Sequence, residues 1–116
     1  MTSSVLTWPT REEVDRAARA WAEALAKEHD DVMAVGYFGS YARGNHGVGS
    51  DLELVVLLSK SRLPPERRSL GWPLHSLPVP ADVLVYTLAE WARLKEGGTR
   101  FARMLEEETV WLWRKG

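Results

Sequence analysis

The sequence predicts a single small domain of the α+β class, and three features carry that reading. Apolar residues recur at helical spacing near the start of the chain, a stretch ending at Leu58 is apolar on both faces, and short β-branched runs alternate with capped helices elsewhere. The 116 residues, 45% of them hydrophobic, suffice for one core, so residues 1–116 are expected to form one domain.

Thr10-Arg11-Glu12-Glu13 has the form of a capping box, with Pro9 just outside it. Val14, Ala17, Ala18, Trp21, Ala22 and Leu25 follow at helical spacing, which predicts an amphipathic helix over 11–28 that lays one face on a sheet. Asp30-Asp31 ends it, and Val32 to Phe38 reads as a short strand running straight into Gly39-Ser40. Tyr41-Ala42-Arg43 makes one helical turn, and Gly44 to Gly49 is too rich in Gly and Asn to be anything but loop.

Asp51 to Leu58 is the strongest strand. Leu52, Leu54, Val56 and Leu58 fall on one side and Val55 and Leu57 on the other, the pattern of a central strand. Ser59 to Pro80 holds Pro64, Pro65, Pro73, Pro78 and Pro80, so no regular period survives beyond one turn at 65–70; a long surface excursion is expected, with Arg62, Arg67 and Arg68 as a solvated basic cluster. Ala81 to Tyr86 is another strand. Thr87-Leu88-Ala89-Glu90 repeats the capping-box form and opens a helix to Lys95, which Gly97-Gly98 ends. Thr99 caps a further helix carrying Phe101, Met104 and Leu105, and Thr109 to Trp113 has the composition of a final strand.

Composition excludes several functions. With no cysteine there is no disulfide, thiolate zinc site or cysteine nucleophile. Fifteen basic residues against sixteen acidic ones, a net charge of -1, argue against gripping duplex nucleic acid, which takes many Lys and Arg contacts. No run approaches the roughly 20 apolar residues of a membrane span, and the opening MTSSVLTWPT has no leader pattern, so a cytoplasmic protein without membrane contact is expected. Six tryptophans are more bulk than the centre of a small domain comfortably absorbs, which places some of them at the core edge or at an interface.

The chemistry gathers around Gly39 and Asp51. Residues two apart on a strand share a face about 6 to 7 Å apart, so Asp51 and Glu53 can converge on one hard cation or straddle two, while Leu52 anchors the strand in the core. Asp82 opens a second strand and reaches the same cluster if the two strands are neighbours. Three carboxylates so placed repel one another unless cations lie between them. Two ions about 3.5 to 4 Å apart serve an in-line displacement, with Asp82 able to take the proton of the attacking hydroxyl. Opposite them, Gly39 lets the backbone approach a phosphate and Ser40 offers its hydroxyl. Arg43 is on Ser40's helical side for a forked contact to phosphate, and Gly44, Gly47 and Gly49 let the chain turn back so that Ser50 and Asp51 face the same cleft. Of the other candidates, His46 is expected at the surface, Tyr41 against the sheet, and His75 is given no role.

Gly39-Ser40, ten residues, then Asp51-x-Glu53 resembles the signature of the nucleotidyltransferases related to DNA polymerase beta, and Gly39-Ser40-Tyr41-Ala42-Arg43-Gly44 resembles its variant in the small stand-alone prokaryotic members, the minimal nucleotidyltransferases. The resemblance implies a small mixed sheet with helices packed mainly on one face. It implies that Asp51, Glu53 and Asp82 are the catalytic metal carboxylates and that Gly39 and Ser40 hold a nucleoside triphosphate, with ATP as substrate; joined to the spacing argument above, the expected site has Mg2+, two ions in all, on the three acids and a nucleotide on Gly39, Ser40, Arg43 and Ser50. It further implies a small helical partner protein of a ribonuclease-like toxin type, whose tyrosine hydroxyl receives AMP. Nucleotidyl transfer to a small molecule and a non-catalytic antitoxin acting by occlusion are the alternatives. The family usually has aspartate where this chain has Glu53, one methylene and about 1.5 Å longer, and magnesium is sensitive to ligand geometry.

Overall fold

A computed structural model describes residues 8–116. The reading of the opening segment as free of an export leader falls largely on residues 1–7, outside the described residues.

The first helix, α1 (Arg11–Glu28), is capped as its sequence requires: Glu13 N–H donates to the Thr10 hydroxyl at 3.1 Å, and Thr10 N–H donates to the Glu13 carboxylate at 2.8 Å. Its apolar stripe of Val14, Ala18, Trp21, Ala22 and Leu25 is buried. Strand β1 (Val32–Phe38) follows, then a single helical turn α2 (Ser40–Arg43) and strand β2 (Leu52–Leu58). After the proline-rich segment come β3 (Ala81–Thr87), α3 (Leu88–Glu96), α4 (Arg100–Glu108) and β4 (Val110–Arg114). Every expected element is present, although β2 begins one residue after Asp51.

The four strands form one mixed sheet in the order β3-β2-β1-β4, with β1 antiparallel to both β2 and β4, and β2 parallel to β3. Gly36 marks a register shift between β1 and β4; a Cβ there would lie 2.7 Å from Thr109 Cγ2 and 2.8 Å from the Val110 carbonyl, so only glycine lets β4 come this close.

Side-chain alternation splits the interior in two. Leu52, Leu54, Val56 and Leu58 meet the buried stripe of α1 on one face, whereas Val55 and Leu57 meet Trp91 of α3 and Leu105 of α4 on the other. The helices are therefore shared between both faces rather than packed mainly on one, because α1 alone is too narrow to cover four strands and the second face of β2 is equally apolar.

The proline-rich segment is more than a surface excursion. Parallel β2 and β3 require a crossover, and residues 59–80 supply it with two short 3₁₀ turns in place of a helix. Leu77 and Val79 are buried with α1, and Trp72 packs edge-on against Trp21 with ring centroids 6.4 Å apart. Within it Arg67 and Arg62 are exposed as expected, but Arg68 is buried and does not belong to a solvated cluster. Its guanidinium reaches the outer edge of β3, donating to the Val85 carbonyl at 3.0 Å, and pairs with Glu90 at 2.6 Å. All six tryptophans are buried or half-buried, so none stands free as an exposed docking surface. Among the described residues no helix is long and apolar enough to cross a membrane.

Candidate active site

Strand β1 ends on buried Phe38 and delivers Gly39, whose φ of 79° and ψ of -150° belong to a region that only glycine adopts readily. A side chain is excluded there twice over, because a Cβ would collide with a carboxylate oxygen of Glu53. The chain then winds once, with Arg43 N–H donating to the Gly39 carbonyl at 3.0 Å and Gly44 N–H to the Ser40 carbonyl at 2.9 Å. Ser40 is left half-buried at the mouth of this turn.

The turn is held from the α1 side through Tyr41, which is buried. Trp8 donates its indole N–H to the Tyr41 hydroxyl at 3.2 Å, Arg11 donates its Nε–H to the Tyr41 carbonyl at 2.9 Å, and the His46 ring stacks on the Tyr41 ring at 4.3 Å. His46 thus folds the glycine loop back over α2 instead of lying free at the surface, and its buried Nδ1 has no partner among the described residues. Ser50 closes the loop: its hydroxyl accepts from Gly47 N–H at 2.9 Å, and its own O–H donates to no acceptor among the described residues.

The carboxylates come from the neighbouring strand ends. Glu53 lies directly across from Asp82 in the parallel β2-β3 register and across from Phe38 in the antiparallel β1-β2 register. Partners in register point to one face, here the face of Val55, Leu57, Leu84 and Tyr86. Asp51 stands just before β2, exposed, two residues upstream of Glu53 and hence on its side of the sheet by alternation. The Leu52 N–H bond to the Pro80 carbonyl, 2.8 Å, carries the ladder down to this level.

The three acids do not close into a ready-made cage: among the described residues, no three Asp, Glu or His side chains are gathered closely enough to hold an ion. Glu53 is folded against Gly39, while Asp51 and Asp82 are exposed. None of them forms an ion pair with a described Lys or Arg. A set of hard oxygen donors on one face, uncompensated by protein cations and beside a glycine turn, fits a divalent ion in chemistry. Arg43 is not directed at this cleft. It donates to Glu108, at the end of α4, at 3.0 Å, with both side chains part-exposed.

The sequence over residues 19–112 matches the nucleotidyltransferase domain family. The chain belongs to that family. Solved structures agree on the fold of this nucleotidyltransferase. A Sulfolobus solfataricus protein assigned as a nucleotidyltransferase superposes with a TM-score of 0.65 at 17% identity, over 90% of this chain and 84% of that one. A toxin-antitoxin crystallised with AMP-PNP gives 0.57 at 18% identity, over 92% and 75%. A double Asp-to-Glu mutant of the toxin-antitoxin MntA-HpeT gives 0.53 at 17% identity, over 92% and 75%. No curated protein matches the sequence.

Several residues of this nucleotidyltransferase escape a reading by motif. Arg68 and Glu90 are ordinary members of a loop and a capping box in the sequence, yet Arg68 makes a forked pair with both Glu90 oxygens, at 2.6 and 3.0 Å. That pair, with the Thr87 N–H bond, holds the Glu90 carboxyl down at about 2. Because Thr87 ends β3, the pair fixes the strand that presents Asp82. Phe101 and Glu108, at the two ends of α4, likewise carry no sequence signal that ties them to Phe38 and Arg43.

Proposed function

We propose that this nucleotidyltransferase moves AMP from ATP to a hydroxyl of a small helical partner protein, with Asp51, Glu53 and Asp82 as its catalytic carboxylates. The observation that supports the reading most is the direct register pairing of Glu53 with Asp82 on one sheet face, beside the Gly39 turn. The partner and the nucleotide are inferred from the fold neighbours, two of which are toxin-antitoxin structures, one of them with AMP-PNP.

In this scheme Gly39 and Ser40 receive the triphosphate, and Ser50 adds its O–H. Asp51, Glu53 and Asp82 would hold magnesium, which when bound would supply Lewis-acid stabilisation of the charge that develops on phosphate. The acceptor oxygen forms a bond to the α-phosphorus, the bond from that phosphorus to the bridging oxygen breaks, and pyrophosphate departs. Asp82, exposed at the mouth of the site, takes the hydroxyl proton. Glu53 has to swing off Gly39 for the phosphates to reach the turn, a motion its extra methylene permits by rotamer change.

That same contact favours a second reading, an antitoxin that binds its partner by occlusion with the cleft retained but silent. Incubation with labelled ATP, magnesium and the product of the adjacent gene separates the two. Label on the partner that falls at least about 100-fold with Asp51→Ala supports transfer. Tight partner binding with no label in the wild type overturns it in favour of occlusion.

A further inference from the structure

The loop between the Gly39 turn and Asp51 is built in two parts. The first continues α2, with Gly44 N–H and Asn45 N–H both donating to the Ser40 carbonyl, at 2.9 and 3.1 Å. The second, Gly47 to Ser50, is closed on itself: Ser50 N–H donates to the Gly47 carbonyl at 3.0 Å, and Gly47 N–H to the Ser50 hydroxyl at 2.9 Å. Asp51 follows directly on this closed turn. Gly47, Val48 and Gly49 are exposed, so the tip of the turn does not rest on the domain. His46 joins the two parts, and its ring lies flat on the Tyr41 ring with centroids 4.3 Å apart and planes at 14°. Tyr41 is a fixed base for that contact, being buried, with Trp8 donating to its hydroxyl and Arg11 to its carbonyl.

An imidazole in this loop can either touch a ligand or support the loop. Its Nδ1 is closed off from solvent, so it does not serve an arriving ligand as donor or acceptor, whereas the stack on Tyr41 is already made. A glycine-rich segment without an anchor samples many conformations. A carboxylate delivered from such a segment is correctly placed only part of the time, and apparent affinity falls in proportion to that fraction. We propose that His46 is a positioning residue for Asp51: its stack on Tyr41 fixes the Gly47–Ser50 turn as a unit and so holds Ser50 and Asp51 in place before a metal arrives. The inference rests on the metal-nucleotide reading above and adds to it the residue that sets how readily magnesium is taken up. Because the ring acts through its face, phenylalanine can replace it and alanine cannot.

The test compares the wild type with His46→Ala and His46→Phe. Amide hydrogen exchange is followed without ligand, and the magnesium midpoint is read from the melting temperature at a fixed concentration of ATP. In His46→Ala the amides of residues 45–50 should exchange faster while those of β1 and β2 do not change. Its magnesium midpoint should rise by about tenfold, the upper end of what an aromatic stack contributes. His46→Phe should stay within about threefold of the wild type in both measurements. A His46→Ala protein with the wild-type midpoint overturns the proposal, even if its ligand-free melting temperature falls, since the residue then serves stability alone. Unchanged loop exchange in His46→Ala overturns it too. Equal losses in His46→Ala and His46→Phe overturn it in favour of direct contact through a ring nitrogen. A wild type whose melting temperature does not respond to magnesium ATP overturns the metal-nucleotide reading, and the positioning role with it, whatever the exchange shows.

Discussion

Gly39 is constrained by its backbone and by its neighbour at once. Its φ of 79° disfavours any other residue, and the Glu53 carboxylate occupies the space a Cβ would take. Gly39→Ala is expected to cost about 1–3 kcal/mol in urea denaturation and to abolish nucleotide binding. Adding Glu53→Asp to it removes the collision but not the backbone strain, so only part of the lost stability should return; full recovery would show that the strain is negligible. Tyr37 gives a second test at this scale. Burial, and then its hydrogen bond to Asp15 at 2.8 Å, push its hydroxyl up to about 12 from 10.0. The folded state therefore holds this proton more tightly than the unfolded chain does. The stability it contributes is full below about pH 10 and is lost as pH rises towards about 12. Alkaline denaturation of Tyr37→Phe should lack that downward slope between the two values.

At the scale of elements, the outer edge of β3 is one of the two unpaired edges of the sheet, and an unpaired strand edge invites pairing with other chains. Arg68 closes it by donating to the Val85 carbonyl and to Glu90 of α3, so one side chain ties the crossover, the strand and the following helix together. Removing it strands Glu90 and reopens the edge. Arg68→Ala should cost roughly 2–4 kcal/mol and raise the tendency to aggregate, measured by denaturation and light scattering. Glu90 is held at about 2, below its ordinary 4.5, so its contribution is present above about pH 4.5 and lost as pH falls towards 2. Glu90→Gln should flatten the acid limb of stability in that window.

For the molecule as a whole, a site built from uncompensated acids and a glycine turn stores its missing interactions in its ligand. Magnesium ATP at about 100 times its dissociation constant should stabilise the fold by about 2.7 kcal/mol. For a domain of this size that is roughly 10 °C in melting temperature. ATP with chelator, or magnesium ATP with the Asp51→Ala variant, should give little of that shift. An equal shift in all three would place the nucleotide elsewhere.

Much of this protein is legible in its sequence because the signals are local. The capping boxes at Thr10 and Thr87, the two-faced apolar run of β2 and the glycine loop each act within a few residues, and the structure forms them where the spacing puts them. The spacing of Gly39-Ser40 and Asp51-x-Glu53 is legible for the same reason, since both segments sit on strand ends joined by one loop. What the tertiary structure alone decides depends on registers and crossovers between distant segments. It sets Asp82 opposite Glu53, divides the helices between two faces, turns Arg43 towards Glu108, and buries Arg68, a residue that looks like any other charge in a loop. No local pattern encodes these pairings, because each is settled by which surfaces remain to be covered once the strands have found their order.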